Sequence, residues 1–352
     1  MVAARALRPL PRSGILDHQN GGSALAARKK RAIVPGIGIH LIGGSGSAGT
    51  TLLAHLLDGL HDIRSGPEAG LFHHRGLYGH DETEAFRVAL YTCLTEQAPA
   101  PGIAVKNLHV PLVPQVFFME RDWYGAPTAV DELALLDSSA GLADFLTRVK
   151  TAMGATQEIE GDFTWIDHTP RNVVGAPDFV TYVPGGKIIH MIRDGRDVVL
   201  SLALRYRNEA PGHDMETYVS AGAVRWTWDT RQGLRARGLP GYLEVRYEEL
   251  VADPVTQLNR ILEHIEKPPI TQEQLDSHRS PTADKDAHRF KGGDKPTWGA
   301  QPTGPISTAS VGRWRKHLDD RALADLYRIR FEIQEDATAY WFGELMEELG
   351  YK

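Results

Sequence analysis

The sequence predicts an α/β protein of three layers (αβα), in which a central, mainly parallel sheet is covered by helices on both faces. Three observations lead there. Short apolar runs alternate along the chain with segments of helical spacing. Several of those runs are too uniformly apolar to leave one face in water. The first of them opens directly into a glycine-rich turn and a leucine-striped helix. Hydrophobic residues at 42% and charged residues at 24% suit a packed globular chain and exclude disordered, collagen-like and coiled-coil classes. Lys plus Arg number 39 against 45 Asp plus Glu, a net charge of −6, so no global basic field draws the chain to nucleic acid or anionic lipid. Any anionic ligand therefore needs a local site.

Taken in order, residues 1–32 are Ala- and Arg-rich, end in Arg28-Lys29-Lys30-Arg31, and are expected to form a flexible tail. Residues 33–352 are expected to form a single domain, since no repeat and no second boundary is visible. Its strand candidates are Ile37 to Ile42, Ile103 to Val105, Phe163 to Ile166, Ile188 to Ile192 and Tyr242 to Val245. Helical spacing marks Leu52, Leu53, Leu56, Leu57 and Leu60, and again Tyr218, Ala221, Val224 and Trp228. Residues 267–310 dissolve into Pro, Gly, Ser and Thr and are expected to be a long loop or lid. The end of the chain, from about Asp319 to Leu349, reads as helical, with Leu323, Leu326, Phe331, Trp341, Phe342 and Leu345 as core contacts. Cys93 stands alone, which forbids an intramolecular disulfide and fits a buried spectator. With no apolar run approaching the roughly 20 residues of a membrane span, and no apolar leader, the expected location is the cytoplasm.

The chemistry begins at Gly43-Gly44-Ser45-Gly46-Ser47-Ala48-Gly49-Thr50-Thr51, between the first strand and its helix. Small residues let backbone N–H groups converge on an anion, and the helix N-terminus attracts its charge. Thr50 stands where a GxxxxGK[ST] turn has lysine, which counts against ordinary ATP or GTP chemistry. A second constellation follows another apolar run: Arg193 emerges at its C-terminal end, and Asp197, Ser201 and Arg205 then fall four apart on one helical face. There Arg193 offers a bidentate grip on a phosphate, completed by Ser201 and Arg205. Two anion sites imply a ligand with two anionic groups.

With these residues the chain resembles the sulfotransferases that use 3′-phosphoadenosine 5′-phosphosulfate (PAPS) and release 3′-phosphoadenosine 5′-phosphate (PAP). The resemblance implies a P-loop NTPase-like fold. It implies that Ser47, Gly49, Thr50 and Thr51 hold the 5′-phosphosulfate and that Arg193 and Ser201 hold the 3′-phosphate. Tyr247, in Arg246-Tyr247-Glu248-Glu249-Leu250, falls where the family's tyrosine lies near the adenine, and Arg313 falls in the late Gly312-Arg313-Trp314 element. The stretch from Leu57 to Glu68 is similar to the protein-tyrosine sulfotransferase branch, whose catalytic glutamate corresponds to Glu68. His168, in Trp165-Ile166-Asp167-His168-Thr169-Pro170, stands where many relatives carry lysine, and is expected to act as a protonated donor supported by Asp167 or Glu68.

Ser47 stands where relatives place Arg or Lys, so charge near the sulfate has to come from elsewhere, with Arg64, Arg313 and a lysine of residues 267–310 as candidates. The expected acceptor is a hydroxyl of a small molecule, a carbohydrate or a lipid, held by loops 61–82, 106–126 and 267–310. No metal is expected: His73, His74 and His80 lack carboxylate or cysteine partners in the sequence. Two other readings stay open. One is a small-molecule kinase with Phe163 to Asp167 as a magnesium-presenting strand; the other is a nucleotide-binding protein without catalysis.

Overall fold

A computed structural model describes residues 36–65, 68–95, 102–111, 139–156, 159–279, 306–333 and 338–351. The expected tail (1–32), the side chain of Cys93, most of loop 106–126 and residues 280–305 of the expected lid lie outside the described residues. The described chain from Gly36 onward forms one compact unit.

Its centre is a five-stranded, wholly parallel sheet in the order β2 (Ile63–Ser65), β5 (Thr164–Asp167), β1 (Ile39–Gly44), β6 (Lys187–Ile192), β7 (Tyr242–Arg246). The three central strands β5, β1 and β6 are buried on both faces, as consecutive residues show. Leu41, Trp165 and Ile188 enter one core, with Phe86 and Leu90 of α2 (Thr83–Thr95), Phe145 and Val149 of α3 (Leu142–Thr156) and Phe179 of α4 (Asn172–Tyr182). Their neighbours Ile42, Ile166 and Ile189 enter the other, with Leu53 and Leu57 of α1 (Thr50–Leu57) and the later helices α7 (Tyr247–Ala252) and α8 (Pro254–His264). Side chains alternate across a strand, so a run with no polar position needs a cover on each side. That is the predicted three-layer αβα class.

The second half adds α5 (Gly195–Glu209) and the 20-residue α6 (Met215–Leu234), which pack closely together. Three expectations are corrected. Ile103 to Val105 does form strand β3 (Gly102–Val105), but it pairs only with β4 (Leu108–Pro111), antiparallel, around Lys106 and Asn107, both with positive φ. A two-residue loop with left-handed residues is the hairpin turn whose twist matches its strands. Residues 267–310 are not irregular throughout: Gln272–Arg279 is helix α9. Its start is a capping box, in which Thr271 Oγ accepts from Gln274 N (3.2 Å) and Gln274 Oε1 accepts from Thr271 N (2.8 Å).

The C-terminal stretch is interrupted rather than continuously helical. Between α10 (Asp320–Tyr327) and α11 (Phe342–Glu348) lies an antiparallel hairpin, β8 (Arg330–Ile333) with β9 (Thr338–Trp341). Arg330-Phe331-Glu332-Ile333 alternates exposed and buried, and Phe331 stacks on Tyr340 at 5.2 Å. Leu326, Phe331, Phe342 and Leu345 are core residues as expected, whereas Trp341 is 44% exposed.

Candidate active site

Every strand of the sheet delivers a polar or anion-binding group at its C-terminal end, which is where open α/β sheets place ligands. β1 runs into the glycine turn. A Cβ on Gly44 would lie 2.6 Å from the carbonyl oxygen of Met191, so only glycine lets β6 approach. Gly49, φ +102°, begins α1 without a side-chain cap, and its own Cβ would meet the Tyr247 ring at 2.6 Å. Ser47 also has positive φ, 70°. The Ala48 amide is spent within the turn on Ser45 O (3.0 Å), but among the described residues no backbone carbonyl accepts from the amides of Gly49, Thr50 or Thr51. Those are the orphan N–H groups of a helix start, turned to the strand end.

β6 delivers Arg193, which is buried. Its Nη1 donates to Ser47 O (3.0 Å), its Nη2 to Ser310 O (2.7 Å), and its guanidinium lies 4.2 Å above the Tyr247 ring. Both oxygens are neutral acceptors, and its buried Nε has no partner. Among the described residues, the charge of Arg193 is therefore not cancelled by a carboxylate. β7 delivers Tyr247, whose hydroxyl contacts Ser310 Oγ at 2.6 Å. The second anion site is thus in direct contact with the first, because β1 and β6 are adjacent strands.

The Arg-Asp stretch after β6 divides its labour. Asp194 caps α5 and pairs with Arg196 (2.8 Å). Asp197 accepts from Gly312 N (2.7 Å) and Trp314 N (2.9 Å), latching residues 306–316 onto α5. Trp314 lies between Arg196 and Arg315, at 4.0 and 4.5 Å from their guanidinium carbons, and donates to Asp194 Oδ2 (3.2 Å). Arg313 is exposed beside this latch. Ser201 Oγ donates to Asp197 O (3.1 Å), and Arg205 reaches back to the glycine turn, its Nη2 3.4 Å from Ser47 Oγ.

On the far side of β1, β5 delivers Asp167 and His168, and β2 delivers Ser65. Asp167 is fully buried and accepts from Ala69 N (2.7 Å), Thr169 N (3.2 Å) and Asn172 Nδ2 (2.7 Å). Thr169 Oγ1 accepts from Gly70 N (3.0 Å). The carboxylate of Asp167 thereby tethers the loop that carries Glu68. His168 is buried, with Nδ1 3.4 Å from Ser65 Oγ. Burial pushes the Glu68 carboxyl up to about 8; the charge of Asp167 adds to this and Arg205 opposes it.

Of the cations expected to replace charge at Ser47, Arg64 donates to Ile63 O (2.8 Å), Lys267 pairs with Asp62 (2.6 Å) and Arg313 points to solvent. Asp197 as a latch and Asp167 as a tether were not assigned from sequence, because their partners lie more than a hundred and about ninety-eight positions away respectively.

Residues 41–271 match the sulfotransferase family, and the chain belongs to that family. It is an enzyme of sulfuryl transfer. Comparison with curated protein sequences gives no match. Among solved structures, the sulfotransferase domain from the curacin biosynthetic pathway is 16% identical, covers 91% of this chain and 99% of its own, and superposes with a TM-score of 0.49. The sulfotransferase domain of an olefin synthase from Synechococcus is 21% identical, with coverages of 89% and 94% and a TM-score of 0.49. A sulfotransferase from Mycobacterium avium is 17% identical, with coverages of 91% and 78% and a TM-score of 0.45. At these scores the likeness adds nothing to what the strand order and the family match already establish. Among the described residues, no helix is long and apolar enough to cross a membrane.

Proposed function

We propose that the protein moves a sulfuryl group from PAPS to a hydroxyl of a small-molecule, carbohydrate or lipid acceptor, releasing PAP. One observation carries this reading: the strand order lines up the groups such a reaction needs. From one edge of the sheet to the other come Glu68 beyond β2, His168 after β5, the glycine turn after β1, Arg193 after β6 and Tyr247 after β7. Five strands at about 4.8 Å spacing make an edge about 19 Å wide, long enough to lay a nucleotide across.

The site also fits the donor in detail. The free amides of Gly49, Thr50 and Thr51 form a cradle for a 5′-phosphosulfate, and the missing Cβ of Gly49 lets the Tyr247 ring pack against the turn. Arg193, buried, with an orphan Nε and, among the described residues, no carboxylate partner, offers its charge to a 3′-phosphate, which Ser201 and Arg313 are proposed to help hold. The Tyr247 ring supports the adenine end. The donor brings the activated sulfuryl group; the chain positions it and handles the proton. Glu68 takes the proton of the acceptor hydroxyl, and a carboxylate with its pKa pushed to about 8 is a stronger base than an ordinary one, once deprotonated. His168 donates toward the leaving oxygen.

Two measurements test the reading. Titration calorimetry is expected to detect PAP binding, and mass spectrometry to detect the mass gain of one sulfuryl group on a hydroxyl acceptor incubated with PAPS. A folded chain that binds no PAP overturns it.

A further inference from the structure

We propose that Tyr351, acting through Glu248, is a positioning residue for Arg193. That role rests on the reading above of Arg193 as the group that holds the 3′-phosphate. Arg193 and Asp194 lie between the last residue of β6, Ile192, and the first of α5, Gly195. Among the described residues, no backbone group bonds to the Arg193 carbonyl or to the Asp194 amide, which are the two ends of one peptide plane. Side chains hold both ends instead. Trp226 Nε1 of α6 donates to Arg193 O (3.2 Å), and Glu248 Oε1 of α7 accepts from Asp194 N (2.9 Å). With the plane fixed at both ends, the direction in which the Arg193 side chain leaves the strand is fixed as well.

The carboxylate of Glu248 has to be held in turn. A glutamate side chain has several rotatable bonds, and one hydrogen bond leaves its carboxylate free to swing. Its other oxygen, Oε2, accepts from the Tyr351 hydroxyl (3.0 Å), so the two oxygens bridge the Arg193–Asp194 peptide to a residue 103 positions beyond Glu248. Tyr351 is itself anchored. Its amide donates to Met346 O (2.9 Å), its ring lies 5.0 Å from the Arg246 guanidinium carbon, and that guanidinium donates to Leu349 O (2.6 Å). Met346 packs at the same turn, where a Cβ on Gly195 would lie 2.9 Å from its sulfur. The carboxylate of Asp194 takes no part in the bridge, since it caps α5 and accepts from Arg196 and Trp314. Tyr351 therefore acts on nucleotide binding only through the peptide that carries Arg193.

Tyr351→Phe removes one hydroxyl and keeps the ring beside Arg246. Titration calorimetry is expected to show PAP binding weakened about 3- to 10-fold, with adenosine 5′-monophosphate, which lacks the 3′-phosphate, within about twofold of wild type. Steady-state kinetics is expected to show the KM for PAPS raised by a similar factor with kcat nearly unchanged. Glu248→Ala is expected to weaken PAP about 10- to 100-fold. Glu248→Gln, whose amide oxygen can still accept from Asp194 N while its NH2 faces the Tyr351 oxygen, is expected to retain most of the affinity. In double-mutant cycles, Tyr351→Phe is expected to add nothing to Glu248→Ala, and neither to add to Arg193→Ala. A folded Tyr351→Phe chain with wild-type PAP affinity, one that loses both nucleotides equally, or additive losses in the cycles overturns the assignment while sparing the nucleotide reading. A wild-type chain that binds no PAP overturns both.

Discussion

Glu68 and Arg193 do opposite kinds of work, and their variants separate them. Glu68→Gln keeps shape and removes the base, so it is expected to lower turnover by about 10²- to 10⁴-fold while leaving PAP affinity intact. Steady-state rates beside calorimetry decide this; a fully active variant moves the base to another residue, with His168 next. Because the Glu68 pKa is raised to about 8, the rising limb of the wild-type pH–rate profile, which reports this base, is expected to extend to about pH 8. Arg193→Ala removes an uncancelled charge from its place between Ser47 O and Ser310 O. The expected cost is about 2 to 4 kcal/mol of PAP binding, and unchanged affinity would remove Arg193 from the 3′-phosphate site.

At the scale of elements, the site depends on two close fits. The glycine turn is shaped by Gly49: alanine there takes on a φ of +102° and a Cβ 2.6 Å from the Tyr247 ring. Gly49→Ala is expected to destabilise the fold by about 1 to 3 kcal/mol in denaturant titrations and to weaken PAP binding as Tyr247 is displaced. The other fit is the latch from Asp197 to the Gly312 and Trp314 amides. Hydrogen bonds to a charged group contribute about 1.5 to 3 kcal/mol, so Asp197→Ala is expected to free residues 306–316 for proteolysis long before global unfolding. A digestion pattern identical to the wild type's would show that the segment is held by something else.

For the whole molecule, buried titrating groups set a pH optimum of stability. Burial lowers His40 to about 3, His74 to about 4 and His190 to about 4, against 6.5 in an unfolded chain. Their contribution is present above pH 6.5 and is lost as pH falls toward those values. Glu68 runs the other way: raised from 4.5 to about 8, it contributes fully below 4.5 and loses its contribution as pH rises through about 8. Burial also lowers His73 and His264 and raises Asp229, so the histidines outnumber the raised carboxyls, and stability is expected to climb from pH 4 to 6.5 and fall gently beyond. The thermal midpoint is expected to peak near pH 6.5, and Glu68→Gln to flatten the alkaline side alone; a wild-type midpoint still rising at pH 8 would contradict this balance.

What was legible in the sequence is what neighbours along the chain decide. The main strands, the glycine turn between β1 and its helix, and the place of Arg193 at the end of a strand follow from spacing within about ten residues, because backbone conformation and face alternation are local. The capping box at Thr271 and the alternation in Arg330 to Ile333 are local too, but each is only four residues long and was overridden by the polar composition or helical spacing around it. Strand β2, three residues long, carries too little periodicity to be read. Partnership across the fold was decided only by the tertiary structure. It turned Asp167 to the Glu68 loop, Asp197 to Gly312 and Trp314, and Arg205 to Ser47. A charged side chain takes whichever partner the packing of strands and helices brings within about 3 Å, and spacing along one helix cannot say which that is.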